Sequence, residues 1–227
     1  MIELSDVLFR YRDGEFELRI LGLELVRGEQ VGLIGPSGSG KTTLLHLVAG
    51  IERPERGRIA VDGTVISELP DANRRAFRVR NLGLVFQEFA LLEHLSVLDN
   101  VLLPYRITPV LRLDRAARGR AGSLIERVGL AEATNRLVTH LSQGERQRVA
   151  VCRALVTEPA LLLADEPTGN LDPVNKFRVI DILRDYAREH DAALLTVTHD
   201  HDLLGRFPRV IDIKSIHSEP ARGVPSS

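Results

Sequence analysis

Apolar and polar residues alternate along the first 25 positions, and later the apolar residues regroup into helical stripes. Val7-Leu8-Phe9-Arg10-Tyr11 and Phe16-Glu17-Leu18-Arg19-Ile20 flank Arg12-Asp13-Gly14, the pattern of two strands and a hairpin turn. Residues 30–34 form a short apolar run that predicts a buried strand, followed by a helix over 43–49 with Gly50 at its C-cap. Residues 58–61, with Asp62-Gly63 behind them, predict another strand and turn. Asp71 is placed to cap a helix running to Arg80, and 82–86 is a strand that ends at Gln87.

The middle of the chain changes character. Residues 96–103 and 114–128 predict helices, the second with Ala117, Ala121, Leu124, Ile125 and Val128 on one face; Pro104 and Pro109 separate the two. A third helix is predicted over 143–157, so a helical insert lies between the strand 82–86 and the strand 160–164. Beyond it, strands and helices alternate. Asp172-Pro173 opens a helix whose predicted buried face is Val174, Phe177, Ile180, Leu183 and Ala187. A strand at 193–197, a short helix and a strand at 210–213 follow. This alternation implies an α/β domain with a mostly parallel sheet covered on both faces, an N-terminal antiparallel β subdomain and an inserted α-helical subdomain. The expected division is one domain over 1–213, with the helical subdomain at about 88–158, and a mobile tail over 214–227 rich in Pro, Gly and Ser. No internal repeat is evident.

Composition narrows the function without naming it. The 227 residues, 44% apolar and 27% charged, suit one large domain with a full core. Thirty basic and 31 acidic residues leave a net charge of −1, so no overall field draws the chain to nucleic acid, and none is expected as a partner. A single cysteine leaves no intramolecular disulfide and fits a reducing compartment. The longest apolar runs, 160–164 and 192–197, fall far short of the roughly 20 residues that span a bilayer. Residues 1–6 lack the basic and apolar blocks of a secretory leader. The expectation is a cytoplasmic protein that reaches a membrane only through a partner.

The chemistry centres on Gly35-Pro36-Ser37-Gly38-Ser39-Gly40-Lys41-Thr42-Thr43, which lies between the strand 30–34 and a helix and fits G-x-x-x-x-G-K-[ST]. Its glycines let backbone N–H groups turn inward around phosphate oxygens, and the helix start adds unpaired N–H groups. Lys41 would reach the terminal phosphates, and the Thr42 hydroxyl would hold Mg²⁺. The apolar strand 160–164 runs into Asp165-Glu166. At the carboxyl edge of a parallel sheet, beside a phosphate loop, Asp165 is placed for the metal and Glu166 for taking a proton from the attacking water. By their own positions, Tyr11 is a strand residue, Gln87 and His199 are loop residues, and Asp172 is a helix cap. Cys152 reads as a packed core residue, and His46 and His94 as structural or surface histidines.

Leu141-Ser142-Gln143-Gly144-Glu145-Arg146-Gln147-Arg148 resembles the signature motif of ABC-type ATPases. With the loop 35–43, Gln87, the acids at 165–166, Gly169-Asn170-Leu171-Asp172 and His199, the chain carries that family's motifs in that family's order. The resemblance covers residues 1 to about 213 and implies a P-loop NTPase core of the ABC ATPase fold, using ATP and Mg²⁺. It implies that Tyr11 stacks on adenine, a contact worth roughly 1–3 kcal/mol. It also implies that Gln87 touches Mg²⁺ and the attacking water, that His199 hydrogen-bonds the γ-phosphate, and that Asp172 lies at a subunit junction. Two copies would meet head to tail, so that Ser142, Gln143, Gly144 and Glu145 face the ATP held by the other copy. Gln143 departs from the usual glycine of the motif, whereas Glu145 in place of glutamine is a variant the family tolerates.

Within the family, Asp165-Glu166-Pro167-Thr168-Gly169-Asn170-Leu171-Asp172 and Val85-Phe86-Gln87-Glu88-Phe89-Ala90-Leu91-Leu92 resemble the lipoprotein-releasing and macrolide-export group. That resemblance implies an integral membrane permease subunit as partner, and residues 89–95 are nominated as part of the groove that grips it. Two other outputs are weighed beside transport. One is ATP-driven regulation of a membrane complex, as in division-type signalling. The other is action on ribosomes or DNA, whose relatives usually carry paired domains or long insertions that this chain lacks.

Overall fold

The computed structural model describes residues 1–11, 16–169 and 171–217. Strands β1 (Ile2–Arg10) and β2 (Glu17–Leu25) form the first hairpin, and β3 (Gln30–Ile34) leads into α1 (Lys41–Val48). β4 (Arg56–Val61), β5 (Thr64–Val65), α2 (Asp71–Asn81) and β6 (Leu82–Val85) follow. The insert holds α3 (Val97–Val101), α4 (Leu103–Arg106) and α5 (Arg115–Arg127), and α6 (Gln143–Leu155) runs back to the sheet. β7 (Leu161–Asp165), α7 (Pro173–Glu189), β8 (Ala193–Val197), β9 (Arg209–Asp212) and α8 (Ile213–Ile216) complete the chain.

Two sheets divide these strands. The antiparallel one has the order β2-β1-β4-β5, with β1 and β2 in register from Ile2↔Leu25 to Arg10↔Glu17; their connecting turn, 12–15, lies outside the described residues. The other has the order β6-β7-β8-β3-β9 with every pairing parallel. Strands β6, β7 and β8 and most of β3 are apolar because helices cover both faces, whereas the edge strand β9 carries Arg209 and Asp212 and is largely exposed. The register Leu33↔Val197 and Asp165↔Val197 brings the carboxyl ends of β3, β7 and β8 to one edge. Ligand-binding loops collect at such an edge.

Three apolar cores hold this arrangement. One joins the antiparallel sheet to α1 and one face of the parallel sheet, through residues such as Leu18, Ile20, Leu44 and Leu163. A second lies on the opposite face, beneath α6 and α7. The third belongs to the insert, where Val101, Leu102, Ile125 and Cys152 pack together.

Local chemistry shifts several predicted boundaries. Gly50, at φ +64, follows the end of α1 as expected, and the N–H of Ile51 returns to the His46 carbonyl at 2.9 Å. Pro70, not Asp71, is the N-cap of α2. Asp71 sits in the first turn, where the helix dipole favours a carboxylate, and pairs with Arg74 and Arg75. The strand 82–86 stops at Val85. Pro104 does not simply interrupt a helix: it enters the first turn of α4, where a missing N–H costs nothing. Val174 is 78% exposed, because α7 starts beyond the sheet and buries its face only from Val179 onward. Lys214–Ile216 lie in α8, and His217 forms an isolated bridge with Ile20. The rest of the expected tail, 218–227, lies outside the described residues.

Candidate functional site

The loop between β3 and α1 forms the floor of an open cleft of about 560 Å³. Gly40 is the N-cap of α1 at φ +95, so no side chain caps the helix and its first N–H groups face the cleft. A Cβ there would also come within 2.8 Å of Leu18 Cδ1 and 3.0 Å of Phe16 Cζ. Ser39 Oγ donates to the Pro36 carbonyl at 2.8 Å, which braces the turn. Lys41 folds back over the loop, and its Nζ donates to the carbonyls of Gly35 and Pro36, both at 2.8 Å. Gly35, Ser37, Gly38, Thr42 and Thr43 also line the cleft.

Asp165 and Glu166 stand across from the loop because β7 lies beside β8, which pairs with β3. Burial raises the Asp165 carboxyl above its ordinary value, and the neighbouring Glu166 charge adds to this; the Thr42 hydroxyl, His46 and Lys41 oppose it. Its Oδ1 is buried with no hydrogen-bond partner among the described residues. Glu166 has φ +47, an uncommon backbone state for a residue with a side chain. Its N–H donates to the Val197 carbonyl at 3.0 Å, which holds that state in place. His199 Nδ1 lies 2.7 Å from Glu166 Oε2, and a carboxylate can only accept, so the imidazole is the donor. His199 is 69% exposed at the mouth, whereas the Glu166 side chain is 16% exposed.

Tyr11 closes the other end of the cleft. Its hydroxyl lies 3.2 Å from Thr43 Oγ1, and its ring meets Phe9 edge-on at 4.8 Å. Phe16 sits beside it with ring centroids 5.9 Å apart and also lines the cleft. Gln87, exposed at the end of β6, reaches the same space, and its amide lies over Gly169. Asn170 lies outside the described residues. Asp172 caps α7, with Oδ1 accepting from Val174 N at 3.0 Å and Asn175 N at 3.1 Å.

The signature residues are not part of this cleft. Ser142 caps α6 in a capping box: Glu145 N donates to Ser142 Oγ at 3.3 Å, and Ser142 N donates to Glu145 Oε2 at 2.8 Å. Gln143 is exposed and Gly144 buried. The sequence-nominated residues thus fall into two groups within the chain. Tyr11, the loop 35–43, Gln87, Asp165, Glu166 and His199 converge, while Ser142, Gln143, Gly144 and Glu145 stand apart.

Several features here were not read from sequence. By its strand pattern Phe16 carries no mark of a site residue, and its nearness in sequence to the aromatic at position 11 is the one available signal. The direct Glu166–His199 contact spans 33 positions and depends on sheet order. Residues 89–95 form no element; Ala90 lines a second groove of about 290 Å³ with Val79, Phe86, Leu103, Pro104 and Ile107. Arg153 holds the Phe89 and Ala90 carbonyls, and Leu92 is 38% exposed. None of the described helices is long and apolar enough to cross a membrane.

The profile of the family described as ABC transporter matches residues 18–169. The lipoprotein-releasing system ATP-binding protein LolD of Maricaulis maris is 45% identical over 223 residues, 97% of this chain and 96% of that protein. The macrolide export ATP-binding/permease protein MacB of Syntrophobacter fumaroxidans is 38% identical over 98% of this chain, which corresponds to 32% of that longer protein. Among solved structures, the ATP-binding cassette MJ0796, a dimer in a post-hydrolysis state bound to ADP and Pi, superposes with a TM-score of 0.83. It is 32% identical and covers 93% of this chain and 94% of its own.

Proposed function

The chain belongs to the ABC transporter family as an ATP-binding, ATP-hydrolysing subunit, and from that premise we propose how its residues divide the reaction. The observation that carries the assignment is the Glu166–His199 pair opening onto the same cleft as Lys41, Thr42 and Asp165. ATP enters with adenine against Tyr11 and Phe16 and its phosphates in the loop 35–43. Lys41 leaves the Gly35 and Pro36 carbonyls for the terminal phosphates, and the α1 N–H groups take the remaining oxygens. Glu166 accepts a proton from the water whose oxygen attacks the γ-phosphorus, and the bond from that phosphorus to ADP breaks. His199 orients the Glu166 carboxylate through Nδ1–H, and the same side chain at the cleft mouth is the hydrogen-bond partner for the γ-phosphate. Gln87 extends to the same water from the start of the helical insert.

The donor set suits Mg²⁺. The partnerless Asp165 oxygen and the Thr42 hydroxyl are hard ligands beside the phosphate loop. Among the described residues no group of three or more His, Cys, Asp or Glu forms an all-protein metal cage. Mg²⁺ is commonly held this way, by one or two side chains together with substrate phosphates. When bound, it supplies neutralisation of charge between the β- and γ-phosphates.

We further propose that two copies meet head to tail, placing Ser142, Gln143, Gly144 and Glu145 of each against the γ-phosphate held by the other. The separation of these residues from the cleft within one chain supports this, as does the dimeric form of MJ0796. Closure of the pair on ATP and reopening after hydrolysis would drive an integral membrane permease, which holds the dimer on the cytoplasmic face of the membrane. The likeness to LolD and MacB supports a lipoprotein-releasing or export type of transporter. The groove beside Ala90 and the exposed Leu92 are the proposed contacts with the permease. The test of the hydrolytic assignment is Glu166→Gln, assayed by phosphate release and by binding of a fluorescent ATP analogue. Turnover is expected to fall by about 10²–10⁴-fold with nucleotide binding retained, and unimpaired turnover removes Glu166 from the mechanism.

A further inference from the structure

Polar contacts tie the first turns of α6 and α7 to the loop after β7, outside the nucleotide cleft. Gln147, fully buried on α6, donates Nε2–H to the Pro167 carbonyl at 2.6 Å. A carbonyl only accepts, so this orientation of the amide is forced, and it leaves Oε1 buried with no partner among the described residues. Pro167 directly follows Glu166, whose N–H is itself held by Val197. One residue along, Arg148 is 8% exposed and donates Nη1–H to Asn175 Oδ1 at 2.8 Å. Asn175 passes the contact on, its Nδ2 donating to Asp172 Oδ2 at 2.6 Å. Gly144 lets the two helices approach this closely, since a Cβ there would lie 2.8 Å from Asn175 Cγ.

A buried amide with an orphaned oxygen and a buried guanidinium with a partnerless Nε are costly among apolar neighbours. Apolar side chains of similar size would fill the same volume without that cost. What apolar groups could not do is fix direction: Gln147 ends on Pro167, next to Glu166, and Arg148 ends on Asn175 of α7, which in turn holds Asp172.

We propose that Gln147 and Arg148 are positioning residues for ATP hydrolysis. They lock α6, whose start carries the signature, to Pro167 beside Glu166 and, through Asn175, to Asp172, so that the two surfaces that meet nucleotide move as one body. Glu166 faces the chain's own ATP, and Ser142 faces the partner's. This inference rests on the reading of the signature as a site completed across a dimer. Neither residue touches nucleotide; each acts through the segment it holds.

The test compares Gln147→Met, Arg148→Met, Arg148→Lys and the double variant Arg148→Met/Asn175→Leu in the full-length chain. Phosphate release gives kcat and KM, a fluorescent ATP analogue gives affinity, and thermal melting reports the fold. The expected result is a kcat lower by about 10- to 100-fold in both Met variants, the order that a misplacement of about 1 Å costs, with nucleotide affinity and melting temperature close to wild type. Arg148→Lys, which keeps a donor for Asn175, should recover most of the rate, and the double variant should be no slower than Arg148→Met alone. Turnover within twofold of wild type in both Met variants overturns the proposal. So does a parallel loss of turnover, affinity and melting temperature, which marks a purely structural role. A wild-type chain that hydrolyses no ATP, or whose binding survives Lys41→Ala unchanged, would instead sink the reading of the cleft itself.

Discussion

Gly83 is where the sheet and α6 come closest, and substituting it probes how firmly the signature-bearing helix is seated. A Cβ at this position would lie 2.6 Å from the Ala154 carbonyl oxygen, 2.6 Å from Leu162 Cδ2 and 2.9 Å from Pro159 Cγ. Leu162 can change rotamer, but the Ala154 carbonyl is helix backbone and Pro159 is a ring. Both belong to the short stretch that carries α6 into β7. Gly83→Ala therefore pushes α6 off the sheet or bends β6. Forcing an extra methyl group into a packed interior typically costs about 1–3 kcal/mol. Replacing glycine within a strand returns less than about 1 kcal/mol. The clash wins, with a net loss of about 1–2 kcal/mol. For a chain of this size each kcal/mol is about 2–4 °C, so the melting temperature should fall by about 2–8 °C. Differential scanning fluorimetry measures this directly. Repeating it with saturating ATP should show the same upward shift as wild type, because the phosphate loop is untouched. A variant that melts within about 1 °C of wild type would refute the reasoning and show that α6 can withdraw from β6 at little cost.

Other outcomes follow from single contacts. Glu145→Ala removes the reciprocal half of the capping box and should cost about 1 kcal/mol at neutral pH, read by chemical denaturation. Hydrogen bonds from Ser142 lower the Glu145 carboxyl below 4.5. The stabilising contribution is therefore complete above pH 4.5 and is lost as pH falls through the lowered value, so wild type and variant should converge in acid. Cys152 is fully buried and desolvation pushes its thiol up to about 12, so the native protein should resist alkylation at neutral pH and react only in denaturant. Rapid native labelling would contradict the packing of the insert. Leu92→Asp alters an exposed residue beside the second groove and should abolish co-purification with the membrane permease while leaving ATP binding unchanged. Retained co-purification would remove this segment from the docking surface.

The parts of the protein legible in sequence are those whose physics is local. The phosphate loop declares itself because a glycine at φ +95 must precede a helix that starts with Lys41. Ser142 and Glu145 declare a helix start by spacing alone. Asp165 and Glu166 could be placed at the sheet edge because an apolar run ended there. Val174 is exposed although it lies on the apolar stripe, because helical periodicity gives the direction of a face but not where along the helix its partner begins. Pro104 was misread because the same residue that ends one helix can open the next. Gly83 carries no sequence signal of its own, and the signature stretch that contains Gly144, Gln147 and Arg148 gives no sign of their contacts with α7 and the loop after β7. Their roles come from pairs of elements distant in the chain, and only the order β6-β7-β8-β3-β9 brings those elements together.

The helical insert has an apolar interior separate from the two that sandwich the parallel sheet. In evolutionary terms this makes the chain two modules under different constraints. Substitutions on α3, or at Ala117, Ala121 and Ile125 of α5, fall within the insert's own interior, whereas Leu124 of α5 also packs against the sheet-side core. A lineage could therefore refit the insert to a new membrane partner while keeping one ATP-hydrolysing core. The variation is then confined by α6, whose Val149 and Cys152 pack into the insert while its Val151 and Leu155 pack against the sheet. That helix is the hinge of the design in sequence space, where a single change must satisfy both modules at once.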